Sequence, residues 1–137
     1  MKLKKIVTIL LTVMMICTSL SVVTFASYDV SPAYDIANEV SSELSINGTS
    51  ATCSSYAFSS TAVKIKVEQT LQKQSLWFWN DVSGATWTKT VSTRTIDFTN
   101  SKSSLSSGTY RVKSVFTLTN SSGESETITI YSAEKTI

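Results

Sequence analysis

Between Val63 and Leu71 apolar and polar residues alternate. Val63, Ile65, Val67 and Leu71 take the odd positions, broken only by Gln69, and Lys64, Lys66, Glu68 and Thr70 take the even ones. Strand side chains point to opposite faces in turn, so a period of two predicts a half-buried strand with one face in a core and one in water. Thr109–Thr119 repeats the pattern, with Tyr110, Val112, Phe116 and Leu118 on one face and Arg111, Lys113 and Thr117 on the other. Upstream, Ile36, Val40 and Leu44 are spaced by four and would suit a helix stripe as well as a strand. Asn47-Gly48 decides for a hairpin, because that dipeptide suits a two-residue turn in which both residues have positive φ. Such a turn pairs Ile46 with Thr49, Leu44 with Ala51, Ser42 with Cys53 and Val40 with Ser55. It places Val40, Leu44, Ile46, Ala51 and Cys53 inside, with Glu39, Glu43 and Ser45 outside.

The remaining elements follow from looser signals. Thr86–Phe98 is rich in Thr and Val and predicts one or two strands, followed by a polar loop over Thr99–Ser107. Asn120-Ser121-Ser122-Gly123 predicts a turn into a last strand carrying Ile128 and Ile130. About seven short strands joined by turns make a single all-β domain, an antiparallel β-sandwich.

Composition changes this picture at the N-terminus. Lys2, Lys4 and Lys5 precede an uncharged, mostly apolar stretch of 15 residues, Ile6–Leu20, and Thr24-Phe25-Ala26 places small residues three and one positions before a cut. That is the layout of a secretory signal peptide over residues 1–26, with a mature domain over residues 27–137. A membrane span needs about 20 apolar residues, and Ser19, Ser21 and Thr24 interrupt this stretch first. Removing the segment leaves 9 basic against 10 acidic residues, so the basic balance of the precursor belongs to the export signal. The scattered charges give no footprint for nucleic acid or for a membrane surface after cleavage. The expected product is secreted, and 39 of its 111 residues are Ser or Thr. That content also suits a disordered stalk, but a stalk has no reason to hold the strand register.

Ser107-Gly108-Thr109-Tyr110-Arg111-Val112 resembles the G-x-Y-x-C stretch of immunoglobulin-like domains. The resemblance implies that Tyr110 makes a tyrosine corner, its hydroxyl bonded to backbone near Ser106 or Leu105. It also implies that Cys53 sits where the first intersheet cysteine belongs, with Val112 in place of the second and Val67 about where the core Trp would be. Over nearly the whole chain, A-T-C-S from Ala51, K-I-K-V from Lys64, G-T-Y-R-V-K from Gly108 and S-E-T-I-T-I-Y-S from Ser125 are similar to small exported proteins of Gram-positive, Clostridia-like bacteria. That resemblance implies compartment and no activity.

Candidate chemistry is sparse. Cys17 leaves with the signal, so Cys53 remains alone and is read as a small buried hydrophobe. The chain has no His, which removes the usual general base and the commonest transition-metal ligand. Ser132-Ala133-Glu134-Lys135 spells S-x-x-K without the companion motifs of that chemistry. Asp35, Glu39 and Glu43 fall on one solvated strand face, and no loop has calcium-binding spacing. No cofactor motif is present, and an enzyme is not expected. The aromatic residues stand out instead: Leu76-Trp77-Phe78-Trp79 follows the third strand, and Trp87 comes after a polar, Gly-containing segment expected to turn. Each Trp brings about 200 Å² of largely apolar surface, and a strand can hide only one face in a core. Trp77, Trp79 and Trp87 are therefore the candidate binding surface of a non-catalytic module for an extracellular glycan or protein. The alternatives are a structural or self-assembling surface protein joined through strand edges and, less favoured, a small hydrolase.

Overall fold

The computed structural model describes residues 33–137, so the predicted export segment lies outside the described residues. Seven strands run β1 Glu39–Asn47, β2 Ser50–Phe58, β3 Ala62–Ser75, β4 Phe78–Val91, β5 Thr95–Lys102, β6 Thr109–Asn120 and β7 Ser125–Tyr131, with a two-residue β8, Lys135–Thr136. They form two antiparallel sheets, β1-β2-β5 and β4-β3-β6-β7, and β8 pairs with β6. The fold is all-β, and the sheets pack their apolar faces together as a sandwich.

Strands β3 and β6 form the centre of the larger sheet because their alternations agree in register. Ile65 pairs with Leu118, Val67 with Phe116 and Leu71 with Val112, and all six are fully buried. Burying a side chain such as Phe116 or Leu118 contributes about 1.5–3 kcal/mol. Val63 is a correction: the register shifts between Ala62 and Lys64, so Ala62 turns inward and Val63 is 48% exposed.

The first hairpin also departs from expectation. Asn47 pairs with Ser50, Ile46 with Ala51 and Leu44 with Cys53, so the turn residues are Gly48 and Thr49. Gly48 has φ +57° and Asn47 is not in the positive-φ region, which is the arrangement with Gly at the first turn position. The partner of every β1 residue moves by two. An even shift preserves which face is which, and Leu44, Ala51 and Cys53 remain buried. Downstream, β5 runs to Lys102, so the polar loop begins at Ser103 and not at Thr99. Asp35 precedes β1 and shares no strand face with Glu39 and Glu43.

The interior is divided. Ile36, Ala57, Ile65, Val67, Ile96, Phe116, Leu118 and Ile128 belong to one apolar cluster. Leu44, Ala51, Cys53, Leu71, Ala85, Tyr110 and Val112 belong to a second. At the level between them lies a polar belt. Gln69 Nε2 donates to Ser55 Oγ at 2.6 Å and to the Phe98 carbonyl at 3.1 Å, and Gln69 Oε1 accepts from Asn100 at 2.9 Å. Ser114 Oγ lies 2.7 Å from Ser55 Oγ and 2.9 Å from Ser42 Oγ. Every member has a partner, which is what makes a buried polar group tolerable.

Candidate binding surface

The sequence Ser75-Leu76-Trp77-Phe78 folds as a two-residue hairpin, with Ser75 paired to Phe78 and Leu76-Trp77 at the tip. Leu76 takes φ +55°, a region that L side chains avoid because Cβ crowds the backbone. The apolar tip reaches into solvent: Leu76 is 80%, Trp77 87% and Phe78 68% exposed.

Trp79 and Trp87 are separated by β4 itself. They lie eight residues apart, an even spacing that would put them on one face of a regular strand. The expected turn between them is absent, and β4 continues through a bulge. Thr70 pairs with Thr86 and Gln72 with Asp81, so Val82, Ser83, Gly84 and Ala85 all oppose Leu71. Three extra residues invert the parity, and Gly84, at φ +65°, supplies the left-handed conformation such a bulge uses. Trp87 therefore pairs with Gln69 and packs, half-buried, against the second core cluster. Trp79 falls on the outer face. The structure brings Trp77 and Trp79 to one end of the larger sheet and leaves Trp87 out of their surface.

On that outer face Trp79 meets Arg111, and Arg111 in turn meets Tyr131, neither of them picked out from sequence. The guanidinium carbon of Arg111, on β6, lies 4.1 Å from the Trp79 ring centre and 4.0 Å from that of Tyr131 on β7. Arg111 Nε donates to Gln72 Oε1 at 3.0 Å, and Gln72 Nε2 donates to Asp81 Oδ1 at 2.9 Å. Outward placement of Arg111 is visible in the alternation of β6. Its aromatic neighbours come from the two flanking ends of the sheet, which no local pattern joins.

The remaining candidates have structural partners. Cys53 is buried and unpaired, and burial pushes its thiol up to about 12, away from a reactive thiolate. Ser132 Oγ accepts from the Val112 N–H at 2.8 Å and donates to the Ala133 carbonyl at 2.9 Å, joining the end of β7 to β6. Asp35, Glu124 and Glu126 line a shallow surface depression. Burial raises the pKa of Glu126, but backbone N–H groups of Asp35, Ala37 and Ile36 at 2.8–3.0 Å outweigh it and hold the carboxyl below the usual range. Tyr110 is buried and its hydroxyl donates to the Ser106 carbonyl at 2.6 Å, the corner expected from its motif. Among the described residues no three His, Cys, Asp or Glu side chains come together to hold a metal ion.

No family model and no curated protein matches the sequence. Among solved structures the chain is similar to OgpA from Akkermansia muciniphila in two crystal forms. The first is 11% identical, with a TM-score of 0.38 covering 76% of this chain and 31% of that one. The second is 13% identical, with a TM-score of 0.38 covering 72% and 29%. A catalytically inactive OgpA in complex with an O-glycopeptide substrate is 15% identical, with a TM-score of 0.36 covering 74% and 31%. The chain spans less than a third of the length of these proteins, and a likeness this slight says nothing of function.

Proposed function

We propose that the protein is a secreted, non-catalytic interaction module of immunoglobulin-like type that holds a glycan or a protein at the cell exterior through the β3–β4 hairpin tip. The observation that carries this reading is the tip's composition set against its geometry. The other two-residue hairpin places Gly48 at φ +57°, and this one places Leu76 at φ +55°. The first turn uses the residue the backbone asks for. The second keeps a strained Leu beside an exposed Trp and Phe, which burial within the domain does not explain. Strain of this kind gathers where a surface is used.

The test is capture by the exported domain on a glycan array and on a panel of cell-surface proteins, compared with Trp77→Ala. Trp77 contributes little to folding at 87% exposure. The variant should lose capture while its unfolding free energy stays within about 0.5 kcal/mol, as for other surface changes. Undiminished capture would overturn the reading. One observation favours a self-assembling protein as the second reading: β4 and β7 end the larger sheet, and each leaves one ladder unpaired within it. A mass that rises with concentration in sedimentation, and is unchanged by Trp77→Ala, would select that alternative.

A further inference from the structure

We infer that Arg111 is the centre of an anion site on the outer face of the larger sheet, built to take the carboxylate of an acidic sugar. This deepens the reading above and rests on the domain being an exterior binding module. An arginine on an open sheet face ordinarily samples many rotamers. Here the guanidinium lies 4.1 Å from the Trp79 ring centre and 4.0 Å from that of Tyr131, and its Nε is tied to Gln72 at 3.0 Å. The Gln72 amide is itself oriented by Asp81, which accepts its Nε2 at 2.9 Å, so Oε1 is turned toward the arginine. The planar group is held by its rings and by one edge. Among the described residues the hydrogen bond from this guanidinium uses Nε, which leaves the Nη1 and Nη2 donors for a ligand. Two parallel N–H groups match the two oxygens of a carboxylate, and pre-orientation removes the entropy that a mobile arginine would lose.

The surroundings select the class. Lys113 lies two residues along β6 on the same face, opposite Tyr131, and adds a second positive charge, while Asp81 lies beyond Gln72 with one oxygen engaged by its amide. Arg111 and Lys113 against Asp81 leave one net positive charge at the fork, which suits a monoanion, and Glu68, the carboxylate that β3 carries on this face, lies four residues along the strand from Gln72. By register the same face carries Gln74, Thr86 and Thr88, whose amide and hydroxyls match sugar hydroxyls. Trp79, Tyr131 and the Trp77 tip supply the apolar surface that the C–H faces of a pyranose require. An acidic peptide would use the fork but not that hydroxyl-rich, aromatic setting.

The experiment titrates the exported domain with a galacturonate trimer, a hyaluronan tetrasaccharide and sialyllactose, each beside its methyl ester, and with tetraglutamate, following tryptophan fluorescence. At least one acid form should bind saturably and at least about tenfold more tightly than its ester, tenfold being 1.4 kcal/mol. Arg111→Lys keeps the charge and removes the fork, and should lose a similar factor with the thermal midpoint retained. Should that variant fold poorly, Tyr131→Leu removes one stacking wall and should weaken the same ligand. The inference is overturned by no binding of any acid form, by esters binding equally, by Arg111 variants that bind like the parent, or by tetraglutamate binding as tightly as the best sugar. If those outcomes occur while capture still depends on Trp77, the hairpin reading stands and only the acidic sugar falls.

Discussion

Leu76 and Gly48 occupy equivalent places in two hairpins, and the difference between them separates what a residue does for folding from what it does for function. A left-handed conformation strains an L residue by about 1–2 kcal/mol, and glycine escapes this while adding about 0.5–1 kcal/mol of unfolded-state entropy. Leu76 is 80% exposed, so little burial is lost by removing its side chain. Leu76→Gly should therefore raise the urea-unfolding free energy, by up to about 1 kcal/mol, while weakening capture. A drop in stability would show that the leucine is placed for folding and would remove the support it lends to the binding tip. Tyr110 shows the other case, a residue legible in the sequence because its motif is local: the hydroxyl reaches Ser106, four residues upstream.

At the scale of the element, β3 shows how much a single break in a pattern can mean. Gln69 stands out in the alternation as one polar residue at an inward position, and it is fully buried. Its reason lies on other strands, in Ser55 of β2, Asn100 of β5 and the carbonyl of Phe98. Gln69→Leu would complete the apolar stripe that the sequence suggests, yet it removes the acceptor of half-buried Asn100 and one donor from Ser55, which keeps only Ser114. It should destabilise the domain by about 1–3 kcal/mol, the usual penalty of an unmet buried polar group, read as a lower urea midpoint with an unchanged slope. An unchanged or higher midpoint would mean that the belt relaxes freely. Strand β4 carries the complementary lesson. Its alternation suggests one aromatic face, and the bulge opposite Leu71 divides Trp79 from Trp87.

Taken whole, the molecule should lose stability at both ends of the pH scale, through one named group at each. Cys53 stays protonated in the folded state to about 12 against an ordinary 9.0, because burial disfavours the thiolate. Its contribution is complete below about pH 9 and is lost as pH rises toward 12. Glu126 works in the opposite sense. Its folded pKa lies below 4.5, so its contribution is present above that value and is lost as pH falls beneath it. Urea midpoints across pH should fall at both ends. Cys53→Ala should flatten the alkaline fall and Glu126→Ala the acid one, and variant curves that merely run parallel to the parent's would contradict the assignment. The acid limb reaches the start of the fold, since Glu126 on β7 binds the backbone at Asp35, Ile36 and Ala37. The sequence by itself determined the all-β class, the inward faces of β1, β2 and β6 and, apart from Val63, of β3, and the burial of Cys53, because alternation and turn chemistry act between near neighbours; the tyrosine corner came from the resemblance of the stretch around Tyr110 to a known motif. Tertiary structure alone decided the hairpin register, the inversion within β4, the partners of Gln69 and the meeting of Trp79, Arg111 and Tyr131. Each of those depends on how many residues one strand sets against another, a quantity fixed by pairing across the sheet and carried by no single segment of the chain.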